Sequence, residues 1–364
     1  MSVPLTDTAT LHPLVLPARA GAAPTPLLRE YAEVRNASIL ETTGRDDDAL
    51  DADTLLPLLY GTPDRDRRQW YIEQDGEIVG CCALDRFMDD DGRTAMIGLA
   101  VLRRAWGQGI GRAAYAHVES VAREAGAEKI LHWAEHHEDG SDAAPLASPT
   151  GFGSVPADRA ARFLARNGFR LEQVERASAL TWTASTVDRL TTLRDEAAAH
   201  AAEYRVVRWM LPTPVEYVDG YAWMKSRMST DAPDAELGMP EETWDAARVA
   251  REDERTAQKG WSLQVTAAQH IETGELCAFN ELTMSTDPGS VTHQYDTLVL
   301  AEHRGHRLGM LVKTAGLLAW RDAHPDSPRV ITYNAEENRP MLSINEEIGF
   351  EAFAYEGAWK KDLT

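Results

Sequence analysis

The amino-acid sequence repeats itself at a fixed distance. A strand–turn–strand pattern surrounds Gly76 and returns around Gly274, and each glycine sits in a dipeptide suited to a tight hairpin turn. Residues 97–112 then match residues 295–310 at the same spacing of 198 positions. Because two separate motifs share one offset, the sequence predicts a duplicated domain.

Each copy continues with the same order of predicted elements. The glycine turn is followed by a helix with apolar residues at helical spacing, over residues 112–126 and again over 310–324. A short strand and a second helix come next in both copies. The sequence therefore predicts an α/β (α+β) fold with two tandem domains, residues 1–184 and 185–364, each a mixed β-sheet flanked by helices.

The boundary between the copies is expected near Ser185. Ser185 and Asp188 resemble a capping box that opens an Ala-rich helix. Two more helical patterns follow between residues 214 and 259, and we expect this segment to form the wall of an acceptor site.

The turn between strand and helix has the features of an anion site. In the second copy it holds Gly305 and Gly309 beside Arg304 and Arg307. Free backbone N–H groups and the helix dipole attract anions at a helix start, and glycines let a phosphate approach the backbone. The turn is neither a P-loop nor the dinucleotide fingerprint, and it follows a hairpin meander, which disfavours a Rossmann fold.

At these turns the chain resembles the GNAT family of acetyltransferases. The pyrophosphate loop of that family has Gln or Arg, two residues, Gly, one residue, and then Gly or Ala. The first copy matches with Gly109 and Gly111 but has Trp106 where Gln or Arg is expected. The second copy matches with Arg304 and Gly309 but has an arginine in place of the first glycine.

The resemblance covers most of both halves, and the layout is similar to that of two-domain acetyltransferases of the mycothiol synthase type. It implies that each sheet splays open beside the glycine turn and that acetyl-CoA lies along the turn, with its pantetheine arm in the opening. The positions implied for the cofactor in the second copy are Val299, Leu300, Arg304, Gly305, His306, Arg307, Leu308, Gly309, Asn334 and Asn338. Those implied in the first copy are Val101, Gly107, Gln108, Gly109, Ile110, Gly111 and Arg112.

The resemblance also implies direct attack of an acceptor amine, or sometimes a thiol, on the acetyl thioester, aided by a carboxylate on the strand before the turn. That strand offers His293, Gln294 and Asp296 in the second copy, whereas the aligned residues 94–99 of the first offer no comparable group. We therefore expect the second copy to be catalytic, with Asp296 as the base and Gln294 or His293 positioning water. The reverse assignment stays open, with the first copy active through polar residues of segment 132–138.

The general acid is less clearly marked than the base. The usual acid of the family is a tyrosine four residues before the terminal Gly-Phe pair, but Leu164 and Asn345 occupy those positions here. Tyr355, Tyr333 or water would then protonate the leaving thiolate, and Tyr355 is the catalytic candidate we retain. No metal is expected, because the H-x-x-E-H motif at His132 falls on a predicted strand and not on a helix.

Charge and composition narrow the class of partner. The net charge of −21 disfavours nucleic-acid binding, which depends on contacts from Lys and Arg to phosphate. No apolar run is long enough to span a membrane. The chain shows no signal-peptide pattern, and Cys81, Cys82 and Cys277 form no disulfide framework, so we expect buried thiols and a cytoplasmic location.

The acceptor is not specified by the sequence. We expect a small-molecule amine first and a small thiol second, with the protein acting as a monomer or homodimer. A second class of function stays open, because two imperfect cofactor loops without the usual tyrosine would also suit a non-catalytic module that binds or senses acyl-CoA.

Overall fold

The two copies predicted from the sequence are present as one order of elements that occurs twice. The computed structural model describes residues 1–19, 21–138, 140 and 143–364. The first half contains β1 (Val3–Pro4), β2 (Ala9–Pro13), α1 (Pro26–Thr43), α2 (Ala52–Leu59), β3 (Arg65–Gln74), β4 (Glu77–Phe87), β5 (Thr94–Val101), α3 (Ile110–Glu124), β6 (Lys129–Glu135), β7 (Leu146–Ala147), β8 (Ser154–Val155), α4 (Arg159–Arg166) and β9 (Arg170–Thr181). The second half contains α5 (Ala184–His200), β10 (Tyr204–Met210), α6 (Val215–Asp231), α7 (Ala246–Gln258), β11 (Trp261–His270), β12 (Leu276–Ser285), β13 (Thr292–Val299), α8 (Leu308–Ala323), β14 (Arg329–Ala335), α9 (Arg339–Ile348) and β15 (Glu351–Asp362).

Local sequence signals place most elements correctly, with one correction at the seam. Asp75 and Gly76 adopt φ angles of 53° and 84°, which is the backbone of a two-residue hairpin turn between β3 and β4. The predicted capping box at Ser185 is wrong. Thr183 caps α5 instead, because its hydroxyl accepts a hydrogen bond from the backbone N–H of Thr186 at 3.1 Å.

A single sheet of 13 strands joins the two halves, in the order β1-β2-β3-β4-β5-β6-β15-β9-β14-β13-β12-β11-β10. Strand β9 of the first half pairs with β14 of the second half. Strand β15, the last of the chain, pairs with β6 of the first half and with β9. The halves therefore exchange two strands, and the predicted division at residues 184 and 185 remains a division of the sequence, because the sheet continues across it.

On one face of this sheet, arginines of helix α7 in the second half form ion pairs with aspartates of the first half. Arg248 of α7, which is 4% exposed, donates to Asp89 at 2.7 Å, and Arg251 donates to Asp64 at 2.8 Å. Both aspartates belong to the first half, at the ends of β3 and β4. The α6–α7 segment thus covers residues of both copies.

Each half also has an apolar core, where α3 or α8 packs on the other face of the sheet. Val118 of α3 and Leu317 of α8 are each buried in the core of their own half. The three cysteines are free and buried, as predicted. No helix among the described residues has the length and apolar character needed to cross a membrane.

In each half, two neighbouring parallel strands separate part-way along their length. Strands β5 and β6 pair only from Thr94 to Met96, and β13 and β14 pair only from Thr292 to Gln294, although all four strands continue further. An opening therefore lies between the strands beside each glycine turn. We call these openings the first gap, between β5 and β6, and the second gap, between β13 and β14.

Substitution of Gly357 tests how tightly β15 is held in the centre of the sheet. A β-carbon at Gly357 would lie 2.5 Å from Trp359 Nε1 and 2.9 Å from both His136 Nε2 and Leu171 Cδ1, so a neighbour would have to move. We expect Gly357→Ala to lower the free energy of unfolding by about 2 kcal/mol, measured by urea denaturation.

Gly98→Ala is the matched control. Gly98 also lies in a strand, but its added β-carbon would meet only Ala83 Cβ, at 3.6 Å. This variant should stay within about 0.5 kcal/mol of the parent. Equal effects at the two positions would show that β15 is loosely packed against the first half.

Candidate active site

The second glycine turn opens α8 in a conformation suited to an anion. Gly305 and Arg307 have φ angles of 92° and 55°, so the chain is left-handed at two positions just before the helix. The first amides of a helix have no partner within it, and no side chain caps α8. Gly309 allows close packing in this first turn, since an added β-carbon would lie 3.1 Å from Ile344 Cδ1; Gly111 holds the equivalent place in α3.

The first turn has the same geometry, with glycine at both left-handed positions. Gly107 and Gly109 have φ angles of 76° and 81°, and α3 also begins without a side-chain cap. Ile110 and its counterpart Leu308 are the buried first residues of the two helices. Gln108 accepts a 2.7 Å hydrogen bond from a glutamine of β3, which holds its side chain across the turn.

A side chain from each turn covers a backbone carbonyl that faces the gap. Trp106 Nε1 donates to the carbonyl of Val101 at 2.6 Å, and Arg304 Nε donates to the carbonyl of Val299 at 3.3 Å. Trp106 is therefore the structural counterpart of the arginine, although the two residue types differ. The N–H of Leu300 is bonded to β12, so Val299 and not Leu300 presents its backbone to the second gap.

The charged side chains of the second turn are bonded to nearby carboxylates. Arg307 lies 3.1 Å from a glutamate of α9, and Arg304 lies 3.5 Å from Asp231. The ring of His306 lies 5.5 Å from a tyrosine of β10. Arg112, in the first turn of α3, is exposed. Surface ion pairs contribute little stability. A phosphate group could therefore take the place of the carboxylates that are paired with Arg304 and Arg307.

A β-bulge in β13 separates two of the predicted catalytic residues. Opposite Glu281 of β12, strand β13 has two residues, Tyr295 and Asp296, in place of one. Both therefore turn toward α6, while Gln294 faces α8 and donates to Thr332 at 3.3 Å. The structure does not bring Gln294 and Asp296 together, because the bulge changes the alternation of the strand between them.

A network of polar and charged side chains surrounds Asp296. Lys225 Nζ of α6 lies 2.5 Å from Asp296 Oδ2 and 3.0 Å from Glu281 Oε1, and the Tyr221 hydroxyl donates to the same Glu281 oxygen at 2.5 Å. Burial raises the pKa of Glu281 although Lys225 opposes the shift. Burial lowers the pKa of Lys225, but the two carboxylates outweigh it and raise the value above normal. Lys225 is therefore charged, and it holds the two carboxylates together.

These groups lie at a cavity between the two halves. Its volume is about 440 Å³, and its walls come from β3 to β6 of the first half and from α6, α7 and β11 to β13 of the second. Met96 and Trp133 line it beside the first gap, and Tyr295 lines it beside the second. A neighbouring cavity of about 230 Å³ contains Asp296, and Lys225 belongs to both cavities. The segment predicted as an acceptor wall therefore borders a space that reaches both gaps.

The first half differs from the second at the equivalent positions on this face. Ala83 of β4 pairs with Gly98 of β5, with no break in register, where the second half has Glu281 opposite Tyr295 and Asp296. The charged network is thus a property of the second copy.

Comparison with known proteins agrees with this geometry. Residues 32–152 match the acetyltransferase (GNAT) family. Residues 32–152 are therefore a GNAT acetyltransferase domain. No curated protein sequence matches the chain.

Solved structures extend the likeness to the whole chain. A tandem GNAT protein from the clavulanic acid biosynthesis pathway superposes with a TM-score of 0.74 at 23% identity, over 98% of this chain and 99% of the other. The GCN5-related N-acetyltransferase from Sphaerobacter thermophilus gives a TM-score of 0.61 at 16% identity, over 99% and 97%. A glucosamine N-acetyltransferase region of a fungal multi-domain GH3 β-N-acetylglucosaminidase gives 0.57 at 14% identity, over 97% and 38%. The chain therefore has the fold of a tandem GNAT protein, as predicted.

The second copy buries a lysine beside its gap. Lys313 of α8 is 1% exposed, and its Nζ donates to Asn345 Oδ1 at 2.8 Å. Asn345 Nδ2 in turn donates to Asn334 Oδ1 at 2.7 Å. Burial lowers the pKa of Lys313 to about 7. Among the residues that the structure describes, no carboxylate lies within ion-pair distance of this amine.

The structure does not place Tyr355 at the second gap. Tyr355 lies on β15, which the strand exchange puts next to β6, and Asp296 lies three strands away, at about 14 Å for ordinary strand spacing. Sequence reasoning retained Tyr355 as a candidate acid in place of the missing tyrosine, and the residue belongs to the second half of the chain. Its strand, however, crosses to the first half.

Asn338 has a structural role in the second copy. It is the N-cap of α9, and its side-chain oxygen accepts from the backbone N–H of Met341 at 3.4 Å. Its predicted contact with cofactor stays a prediction.

His132, the first residue of the H-x-x-E-H motif, lies on strand β6, as expected. His132 Nδ1 is 2.9 Å from the carbonyl oxygen of Ile97, at the mouth of the first gap. His136 Nδ1 is 2.9 Å from Asp158, and its Nε2 accepts from Trp359 Nε1 at 3.0 Å. The two histidines therefore bond to different partners and do not face a common point.

One group of possible metal ligands occurs among the described residues. Single atoms of Glu275, Cys277 and His303 lie within 4.8 Å of one another beside the second turn. His303 is also 2.9 Å from the hydroxyl of Tyr204. The expectation of no metal stays a prediction.

Sequence reasoning missed Lys225, Glu281 and Lys313. Glu281 could have been found by extending the β11–β12 hairpin to the next strand, which pairs it with the region of Asp296. Lys225 follows Tyr221 by four residues, which places both on one face of α6. Lys313 interrupts the apolar face of α8, and such a residue is a signal for a buried charge.

Removal of Lys313 and removal of Lys225 should have opposite effects on the free energy of unfolding. The folded-state pKa of Lys313 is about 7, against 10.5 in the unfolded chain. Below pH 7 Lys313 carries its proton in both the folded and the unfolded state, and the cost of burying the charged amine is fully present. Above pH 7 the unfolded state binds more protons than the folded state, so the stability of the parent rises with pH. Relative to Lys313→Met, the free energy of unfolding of the parent should rise by up to about 1.4 kcal/mol for each pH unit from about 7 to 10.

Lys225→Met is the control, and both variants are followed by urea denaturation over this pH range. Lys225 lies between two carboxylates, so its removal leaves buried negative charge without a partner. We expect a loss of about 3 kcal/mol at pH 7. The contrary result would be that Lys313→Met loses as much stability at pH 7 as Lys225→Met, with no dependence on pH. That result would show that burial of the Lys313 amine does not destabilise the folded protein.

Proposed function

We propose that this protein is an acetyl-CoA-dependent acetyltransferase that moves the acetyl group directly to a small-molecule amine, with a small thiol as the second class of acceptor. We further infer that the second half is catalytic. The observation that carries this inference is the difference between the copies. The second gap meets the cavity beside Glu281, Lys225 and Asp296, whereas Ala83 and Gly98 stand at the equivalent place in the first half.

The residues of the second half fit acetyl-CoA. The start of α8 has no side-chain cap, and the left-handed residues Gly305 and Arg307 lead the chain into it, which suits a pyrophosphate. The backbone of Val299 faces the gap, where a pantetheine arm could bind like an added strand. When bound, acetyl-CoA would supply the acetyl group as an activated thioester. The similar tandem GNAT protein of the clavulanic acid pathway is known in a state without AcCoA, which supports this choice of ligand.

Asp296 is the proposed proton acceptor. An acceptor ammonium must lose a proton before its nitrogen can attack a carbonyl carbon. Lys225 holds Asp296 through Oδ2, so Oδ1 is left to accept the proton. The side chain of Asp296 is 34% exposed, which gives an acceptor access to it. Glu281 shares Lys225 and fixes its position.

The first half is proposed to hold cofactor without turnover. It has glycine at both left-handed positions of its turn, and its helix start has no side-chain cap. On the cavity face it lacks a counterpart of the charged network. His132 also occupies the mouth of the first gap through its contact with Ile97. These features support binding more than catalysis.

Calorimetric titration with acetyl-CoA tests the cofactor assignment. We expect binding in the parent and loss of the second-half site in Gly309→Glu, because a carboxylate at the helix start repels phosphate. Gly109→Glu probes the first turn in the same way, and circular dichroism checks that both variants fold. A single site that survives Gly309→Glu would move the catalytic assignment to the first half. No binding in the parent would contradict acetyl transfer.

Replacement of Asp296 tests the catalytic role separately from binding. Asp296→Asn should keep the affinity for acetyl-CoA within about twofold, since the residue lies on the cavity face, and lower turnover by about 10² to 10⁴. Turnover is measured as thioester consumption with a panel of small amines and thiols. Gly98→Ala, in the first half, should keep the turnover of the parent. A parent that binds acetyl-CoA but acetylates no member of the panel would favour the acyl-CoA-binding module.

A further inference from the structure

Several positions around the second gap carry amide, hydroxyl or amine groups where the equivalent positions of the first gap are mainly apolar or aromatic. Strand register and helix position identify six pairs of equivalent residues on the α3 and α8 side of the sheet. In each pair the residue of the first half is given first. The pairs are Cys82 and Asn280, Leu99 and Thr297, Ile97 and Gln294, Ala134 and Asn334, Tyr115 and Lys313, and Leu164 and Asn345. Because buried polar groups destabilise a fold unless they are bonded, a polar set confined to one copy indicates a function there.

The side chains of Lys313, Asn345 and Asn334 form a hydrogen-bonded chain, and its direction is fixed when Lys313 is protonated. The ammonium of Lys313 can only donate, so Asn345 accepts with Oδ1 and must donate with Nδ2. Asn334 therefore accepts with Oδ1, at 2.7 Å, which leaves its own Nδ2 for a further partner. The chain ends in a donor whose dipole is aligned by the charge of Lys313.

That donor lies beside the second gap. Strands β13 and β14 part after the pair Gln294 and Thr332, and Asn334 is the next residue of β14 on the same face. Asn334 is half-buried, whereas Lys313 and Asn345 are each 1% exposed. Asn334 is therefore the member of the chain that can reach a group in the gap.

We propose that Asn334, oriented and polarised by Lys313 through Asn345, donates to the thiolate that leaves when the acetyl group is transferred. The proposal rests on the proposed function. It gives the leaving thiolate a hydrogen-bond donor in a site that lacks the expected tyrosine acid, whose position Asn345 occupies. Asn334 would be the catalytic residue, because it contacts the sulfur. Lys313 and Asn345 would be positioning residues, because they act through it.

The step is balanced without a proton from Lys313. A C–N bond forms and the C–S bond breaks, and the electron pair of the C–S bond stays on sulfur. Of the two protons that the acceptor ammonium loses, one goes to Asp296 and the other to water in the cavity. The new negative charge on sulfur is met by the Asn334 N–H and by the field of the ammonium behind it. Burial lowers the pKa of Lys313 to about 7, and an anion in the gap would favour the charged amine, so the relay acts where Lys313 keeps its proton.

The experiment measures the pKa of the coenzyme A thiol while it is bound to the full-length protein. Thiolate is followed by ultraviolet absorbance as a function of pH, with the complex of desulfo-coenzyme A as the baseline. Gly309→Glu identifies the signal that belongs to the second half. We expect the bound thiol to titrate about one pH unit or more below the free thiol in the parent, because the Asn334 N–H and the charged amine behind it favour the thiolate.

Lys313→Met and Asn345→Leu should each raise the bound thiol pKa by about one unit, which is a tenfold loss of thiolate at a pH below it. Asn345→Asp is a second route that keeps the lysine: its carboxylate would pair with Lys313 and could not donate to Asn334. It should raise the thiol pKa in the same way. Tyr115→Phe is the matched control in the first half and should leave the value unchanged.

The outcomes separate this inference from the proposed function. A bound thiol with the same pKa in the parent, Lys313→Met and Asn345→Asp would overturn the inference and leave acetyl transfer standing. A parent that binds no coenzyme A would overturn the proposed function and the inference with it. A thiol pKa raised in Asn345→Asp as well as in Lys313→Met would establish the relay, because a merely structural lysine would leave the sulfur unaffected.

Discussion

The exchange of β9 and β15 is the constraint on which the rest of the structure depends. Each strand pairs with the other and with a strand of the opposite half, so the centre of the sheet belongs to both copies. This pairing fixes how the copies face each other, because neither gap can move without disturbing the central strands. It also brings α7 over the first half, where Arg248 is bonded to Asp89. The common cavity is a consequence of this arrangement.

Duplication supplies a comparison within one molecule. The two glycine turns have the same backbone conformation. In each turn a side chain also donates a hydrogen bond to the carbonyl of Val101 or Val299. They differ in what surrounds them. A bulge gives the second copy Asp296 where the first has an unbroken pair, and a buried lysine replaces Tyr115 in the next helix. Selection for stability alone would favour the apolar version, since a buried amine without a counter-ion lowers the free energy of unfolding. The copy that retains the polar groups is therefore the better candidate for chemistry.

Local patterns in the sequence were sufficient for the repeat, the glycine turns, α3, α8 and the position of Asp296. They were insufficient wherever the answer depends on pairing between distant strands. The bulge arises from the register of β12 against β13, and no pattern within β13 distinguishes it from regular alternation, so Gln294 was expected beside Asp296. Tyr355 was assigned to the second gap because nothing in its own strand shows that β15 crosses to the first half. Lys225 lay in a segment correctly predicted as helical, but its carboxylate partners come from two other strands.

The charge of the whole chain says less about the acceptor than the sequence suggested. A net charge of −21 would by itself favour a cationic acceptor. The larger cavity, however, is lined by as many cationic as acidic side chains: Arg65, Arg67, Lys225, Arg248, Arg255 and Lys259 against Asp64, Asp85, Glu242, Glu252, Asp253 and Glu281. Most of these groups are bonded to each other, as Arg65 is to Glu242 at 2.9 Å and Arg67 to Asp85 at 3.1 Å. A bonded pair attracts a charged ligand far less than a single charge does, because the fields of its members largely cancel beyond a few ångströms. Lys259 is different: in the part of the chain described, it has no carboxylate partner, and burial lowers its pKa to about 8. The acidic excess therefore lies mainly outside the cavity, and we expect the unpaired groups inside it to select the proposed acceptor.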